Sequence, residues 1–276
     1  MSLSLMYITN SPAVALLAEQ NGVDRIWIDL ETLGKEERQK NMNTVKSHHT
    51  VNDVAVLSNI LTKSELLVRI NPWNENSTQE IESVISAGAD RIMLPMWKTK
   101  TEVDMFLRAV NKRVHTTLLL ETSEATECLD AVLENPLVEE IHIGLNDLHL
   151  SYGMTFMFEL LSNGMVENLC KKCKARGIPY GFGGIARIGE GTLPAERIVM
   201  EHYRLGSTRA ILSRSFCNVE EIGDIKTIQE IFSKNMKNLR EYETTLADKS
   251  LADFYENQKC VVQCVDKIVK AIKEKK

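Results

Sequence analysis

Short apolar runs rich in β-branched residues recur along the chain, each followed by a stretch whose apolar positions return every three or four residues. The runs cover Leu3–Thr9, Arg25–Glu31, Leu66–Asn71, Arg91–Met96, His115–Glu121, Glu140–Asp147, Tyr180–Gly184 and Arg209–Arg214. Several are nearly unbroken, such as Ile26-Trp27-Ile28 and Thr117-Leu118-Leu119-Leu120, which suits parallel strands buried on both faces. Thr50 precedes a helical stripe of Val54, Leu57, Ile60 and Leu61. Ser77 with Glu80, and Thr99 with Glu102, have the spacing of capping boxes. Gly88 follows the first of these helices as a stop, Pro194 marks a first helical turn, and Gly206 ends that helix.

Eight strands alternating with helices over residues 3–214 predict an α/β fold, a (β/α)8 TIM barrel, with an open doubly wound sheet as the alternative. Residues 1–216 are expected to form the barrel and residues 217–276 a C-terminal helical extension, helical over Ile222–Leu246 and Leu251–Ile272, packing on the barrel or on a neighbouring subunit. The segment Leu148–Gly164, rich in Met and Phe, reads as a packed helix or as a lid, with packing favoured.

Composition narrows the function classes. The chain has 276 residues, 43% hydrophobic and 26% charged, enough to bury a core without staples. Its net charge of −5 argues against nucleic-acid binding by phosphate neutralisation. No apolar run approaches the roughly 20 residues of a membrane span, and Met1–Leu5 shows no signal-peptide pattern. The six cysteines do not read as a disulfide framework, so a cytoplasmic protein with reduced thiols is expected. Cys170-Lys171-Lys172-Cys173 lacks a second ligand pair and reads as small buried side chains, not as a zinc site.

Barrel chemistry sits at the C-terminal strand ends. Those ends carry Asp29-Leu30-Glu31, Arg69-Ile70-Asn71, Glu121-Thr122 and Asn146-Asp147. Four carboxylates and one arginine converge on one rim, and clustered carboxylates repel unless a cation or proton intervenes. A divalent ion with oxygen ligands, Mg²⁺ or Mn²⁺, is the economical answer. Arg69 offers a planar donor fork for a carboxylate or enolate. Gly183-Gly184 reads as a weak phosphate cradle or as a place of close backbone approach.

Asp29-Leu30-Glu31, Val68-Arg69-Ile70-Asn71, Gly88-Ala89-Asp90 leading to Leu94-Pro95-Met96, Glu121-Thr122, and Ile143-Gly144-Leu145-Asn146-Asp147-Leu148 together resemble the HpcH/HpaI aldolase and citrate lyase β-subunit family, over about residues 6–216. The resemblance implies a phosphoenolpyruvate/pyruvate-type barrel and a metal-dependent carbon–carbon lyase, homo-oligomeric through its C-terminal helices. It implies metal ligation by Glu121 and Asp147, with Co²⁺ a third candidate ion. It implies binding of a pyruvate-like unit by Arg69, Gly144 and the backbone near Asn146 and Asp147, and an acidic pair in Asp29 and Glu31. Two positions depart from the aldolase branch: Thr32 stands where His usually follows the acidic triplet, and Leu119 where Gln usually precedes the metal-binding Glu. His48 and His49 are the candidates to replace that histidine, and His149 also falls near the rim.

The expected function is cleavage of a small 2-oxo acid through a pyruvate-type enolate. Two alternatives stand beside it. One is a citrate-lyase-, citrate-synthase- or malyl-CoA-like reaction, and the other is a non-catalytic metal-binding barrel subunit. No nucleic acid or membrane is expected as a partner.

Overall fold

The computed structural model describes residues 2–34 and 48–274. Among them, eight strands close a barrel in chain order, which settles the choice against an open sheet. The chain divides into two compact units, Met6–Ile141 and Met1–Leu5 with His142–Lys276.

The unit Met6–Ile141 holds most of β1 (Ser4–Ile8), then α1 (Pro12–Gln20), β2 (Arg25–Asp29), α2 (Val51–Ser58), β3 (Glu65–Arg69), α3 (Ser77–Ser86), β4 (Arg91–Leu94), α4 (Lys100–Val110), β5 (His115–Leu120) and α5 (Ser123–Val132). β2 is buried along its whole length, as expected of a strand covered on both faces. The parallel register sets Arg25 opposite Glu65 and Asp29 opposite Arg69, so opposite charges meet at both ends of one strand pair. Because side chains alternate with period two, Arg25, Trp27 and Asp29 share one face of β2.

At the N-terminal strand ends lies an ionic cluster not foreseen from the sequence. Arg25 Nη1 and Nη2 donate to Glu140 Oε1 and Oε2 at 2.6 and 2.9 Å, and Arg25 Nε lies 2.5 Å from Glu65 Oε2. Arg91 Nε donates to the same Glu65 oxygen at 3.0 Å, and its Nη1 to the Thr116 carbonyl at 2.7 Å. Burial alone would raise the Glu65 carboxyl, but the bonds and charges of Arg91 and Arg25 hold it below its ordinary range.

The boxes at Thr50/Asp53 and Thr99/Glu102 form as two-way caps. The one expected at Ser77/Glu80 does not. The N-cap of α3 is Asn76 with no side-chain cap, Ser77 Oγ accepts from Asn74 N, and Glu80 turns to Asn71. The amide and side chain of Asn71, two residues past β3, take Glu80 in place of the helix end. Gly88 follows α3 with φ +97, where a Cβ would meet Ser58 at 2.7 Å.

The second unit contains β6 (Ile141–Ile143) from its second residue, α6 (Leu145–Ser151), α7 (Glu159–Ser162), α8 (Met165–Ala175), β7 (Tyr180–Ile185), α9 (Ala195–Leu205), β8 (Arg209–Leu212), α10 (Val219–Ile222), α11 (Ile225–Thr245) and α12 (Leu251–Lys273). Strand six is shorter than its apolar run. Gly144 ends it as the N-cap of α6, so Asn146 and Asp147 stand in a first helical turn, not at a strand end. Gly183 holds φ +51 inside β7, where the pairing with β8 shifts register between Gly181 and Gly184. A Cβ on it would lie 2.7 Å from the Leu145 side chain, so the glycine serves close packing. Pro194 is the N-cap of α9, one place before the expected first turn.

α12 packs against α9 and α7. Buried Asn257 ties it down, donating to Arg197 O and Glu201 Oε1 and accepting from Arg197 Nη1. Glu243 on α11 accepts from the Leu3 amide at 2.7 Å. The segment 148–164 packs as expected: Phe158, Leu160 and Leu161 are buried, and α7 lies on α8 and α12. Cys170 and Cys173 are buried, and desolvation pushes the Cys173 thiol up to about 12. Buried His202 stacks on Phe182 with centroids 3.8 Å apart, and desolvation lowers its pKa to about 3. No helix among the described residues is long and apolar enough to cross a membrane.

Candidate active site

The C-terminal ends of β2 and β3 bring three of the expected residues together. Arg69 Nε and Nη2 donate to Asp29 Oδ1 and Oδ2 at 2.8 and 2.9 Å, a two-pronged pair. Arg69 Nη1 lies 3.3 Å from Glu31 Oε2. The principal partner of the arginine is therefore Asp29, with Glu31 second. Glu31 N donates to Asp29 Oδ1 at 3.2 Å, which folds the acidic triplet back on itself. Burial would lower the Arg69 pKa, but Asp29, Glu31 and Glu121 together raise it above its ordinary value. The guanidinium is thus permanently charged.

Two features of this site were missed in the sequence. The Trp27 ring lies under Arg69, with the guanidinium carbon 5.1 Å from its centroid. Its place two residues before Asp29 is the signal that was available. The second is Met96, which holds φ +53, a left-handed conformation that costs a non-glycine residue about 1 kcal/mol or more. The strained backbone aims the Met96 amide at Glu121 Oε1, 3.1 Å away. Glu121 itself follows β5 and is 3% exposed, as are Asp29 and Glu31.

The two histidines separate. His48 is exposed, whereas Asp29 N donates to His49 Nδ1 at 3.0 Å. A ring nitrogen that accepts an amide proton is unprotonated, so His49 is neutral with its proton on Nε2. His49, and not His48, is therefore the one carried to the strand end. His115 is exposed beside Glu139 Oε2 at 3.2 Å, whereas His142 is fully buried.

In the other unit, Gly144 caps α6, Asn146 and Asp147 are half-buried in its first turn, and His149 is buried with Nδ1 3.2 Å from Leu145 O.

The donor set bears on a metal. Among the described residues, Asp29, Glu31 and Glu121 bring three carboxylates to the guanidinium of Arg69. Carboxylate oxygens are the chemistry of Mg²⁺ or Mn²⁺. Among the described residues no group of three or more His, Cys, Asp or Glu is arranged to hold an ion alone. An ion here would need oxygens from water or substrate as well, the open arrangement that catalysis uses.

The profile of the HpcH/HpaI aldolase/citrate lyase family matches residues 3–178. No curated protein matches the chain. Among solved structures, an HpcH/HpaI aldolase from Desulfitobacterium hafniense DCB-2 is 14% identical with a TM-score of 0.62, covering 83% of this chain and 93% of its own. The citrate synthase SbnG is 14% identical with a TM-score of 0.60, covering 83% and 94%. Macrophomate synthase is 15% identical with a TM-score of 0.56, covering 83% and 84%. At these identities the likeness concerns the fold alone.

Proposed function

The chain belongs to the HpcH/HpaI aldolase/citrate lyase family, and from that premise we propose that it is a divalent-metal-dependent carbon–carbon lyase acting on a small 2-oxo acid through a pyruvate-type enolate. The observation that carries the reading is a fixed arginine among carboxylates: Arg69, gripped by Asp29, seated on Trp27 and within the influence of Glu31 and Glu121.

A guanidinium has five N–H donors. Asp29 takes two, and Glu31 lies beside a third nitrogen, so donors remain on the terminal nitrogens for a substrate carboxylate or an enolate oxygen. Held rigid, the fork needs no reorganisation as negative charge develops on the substrate, which is how preorganised donors lower a barrier. His49, fixed with its proton on Nε2, is the group suited to hand a proton across the rim. The reading assigns Gly144 and the backbone of Asn146 and Asp147 to the substrate carboxylate, as the family resemblance implies. Mg²⁺ or Mn²⁺, with Glu121 and Asp147 as its protein ligands, would supply a Lewis acid for the oxygens of the 2-oxo acid. Self-association through α11 and α12 belongs to the same reading. Leu251 and Tyr255, 78% and 57% exposed, are apolar side chains that α12 leaves at the surface, and light scattering of the full chain measures the assembly.

The test is deuterium exchange at the pyruvate methyl in D₂O, followed by NMR with and without Mg²⁺ or Mn²⁺. Wild type should exchange only with the ion. Arg69→Ala and Glu121→Gln should each fall by about a hundredfold or more. Exchange that ignores either residue would sink the reading.

A further inference from the structure

Glu80, turned away from its own helix end, accepts from Asn71 Nδ2 at 2.8 Å and from Asn71 N at 3.2 Å. The other end of the Asn71 amide faces the chain leaving β2. Asn71 Oδ1 accepts from Thr32 N at 2.9 Å, Leu33 N at 3.0 Å and Thr32 Oγ1 at 3.3 Å. An amide side chain accepts at its oxygen and donates at its nitrogen, so one residue serves both neighbours. Thr32 N shares a rigid peptide plane with the Glu31 carbonyl. Glu31 is thus pinned on both sides, by Asp29 Oδ1 at its own amide and by Asn71 at the following one. Between those anchors its carboxylate reaches Arg69.

We propose that Asn71 and Glu80 form a positioning pair, which holds Glu31 and through it the Arg69 fork in the orientation the reaction uses. The proposal rests on the reading above that Arg69 meets the substrate. Neither Asn71 nor Glu80 touches the reacting atoms. They act through the Thr32–Leu33 backbone, and they take over the task of fixing this strand end where Thr32 stands in the sequence.

The test exploits the polarity of the amide. Asn71→Asp keeps an acceptor for Thr32 and Leu33 but sets a carboxylate against Glu80 with no donor between them. Adding Glu80→Gln returns a donor from the other side. On the full chain, with pyruvate and Mg²⁺ or Mn²⁺, Asn71→Asp should lower kcat for methyl exchange about tenfold, with KM changing less, and the double variant should recover most of it. Asn71→Ala should lose protection from hydrogen exchange at the Thr32 and Leu33 amides. Amides that stay protected in Asn71→Ala overturn the proposal. So does an unchanged kcat once they are released, or a double variant as slow as Asn71→Asp.

A wild type that exchanges no pyruvate protons removes the functional reading instead. The pair is then judged on the Arg69 Nε–H resonance, which Asp29 protects. Its loss in Asn71→Asp and return in the double variant support the pair, and its persistence in Asn71→Asp overturns it.

Discussion

The two ends of β2, β3 and β4 carry the same kinds of side chain and are built to opposite rules. At the N-terminal ends, Arg25 and Arg91 each reach both Glu65 and Glu140, and Arg91 also lies 4.0 Å from Glu139. At the C-terminal ends, a single guanidinium among the described residues, Arg69, pairs with Asp29 and Glu31 and is influenced by Glu121. Two arginines bridging shared carboxylates form a closed network, although it adds little net stability over an apolar core. A single fork with N–H donors to spare can also meet a further anion, and that is the property the proposed function draws on.

The sharpest way to break the comparison is to unpair the closed end. Arg25→Met leaves Glu140, 2% exposed at its side chain, without its main partner, and stability to urea should fall by about 3–5 kcal/mol. A small loss would mean that the cluster is solvated and that its pairing carries no meaning.

The converse experiment relieves the open end. Glu121→Gln removes one of the crowded charges near Arg69. Stability should hold or rise by about 1 kcal/mol, even as pyruvate exchange is lost. Glu140→Gln, the matched change at the closed end, should destabilise. A loss of stability in both would erase the distinction.

Acid titration separates two further carboxyls. The Glu65 pKa is depressed, so its contribution to stability is present above its unfolded value and is lost as pH falls through the folded one. Desolvation raises the Glu80 pKa despite its bonds to Asn71, so its contribution is present below its unfolded value and is lost as pH rises through the folded one. Thermal melts across the acid range should therefore show less acid sensitivity in Glu65→Gln and more in Glu80→Gln. Equal slopes would contradict the opposite signs.

The smallest effect concerns Trp27, which spans the level between the two clusters on β2. Trp27→Leu should cost the Arg69 stack about 0.5–2 kcal/mol beyond the loss of ring volume, and Trp27→Phe less. Isothermal denaturation of both variants beside Arg69→Met, as a double-mutant cycle, isolates that contribution.

The barrel was legible because its signals are local. Unbroken apolar runs and capping residues such as Thr99 and Glu102 express preferences that neighbours in the chain already satisfy. The meeting of Arg69 with the acidic pair was legible for a related reason, since the charged residues that close adjacent strands are set side by side by the register. What the sequence could not determine were choices among competing partners in space. Ser77 and Glu80 have the spacing of a cap, yet Glu80 goes to Asn71. His48 and His49 are adjacent, yet only His49 meets the Asp29 amide. Asn146 and Asp147 continue an apolar run, yet the strand stops at Ile143 and Gly144 caps a helix that takes both into its first turn. The cluster at Arg25 joins residues up to 115 positions apart. Spacing along a chain fixes which groups can meet within one element, whereas hydrogen-bond geometry and charge balance between elements are settled only when the strands are in register.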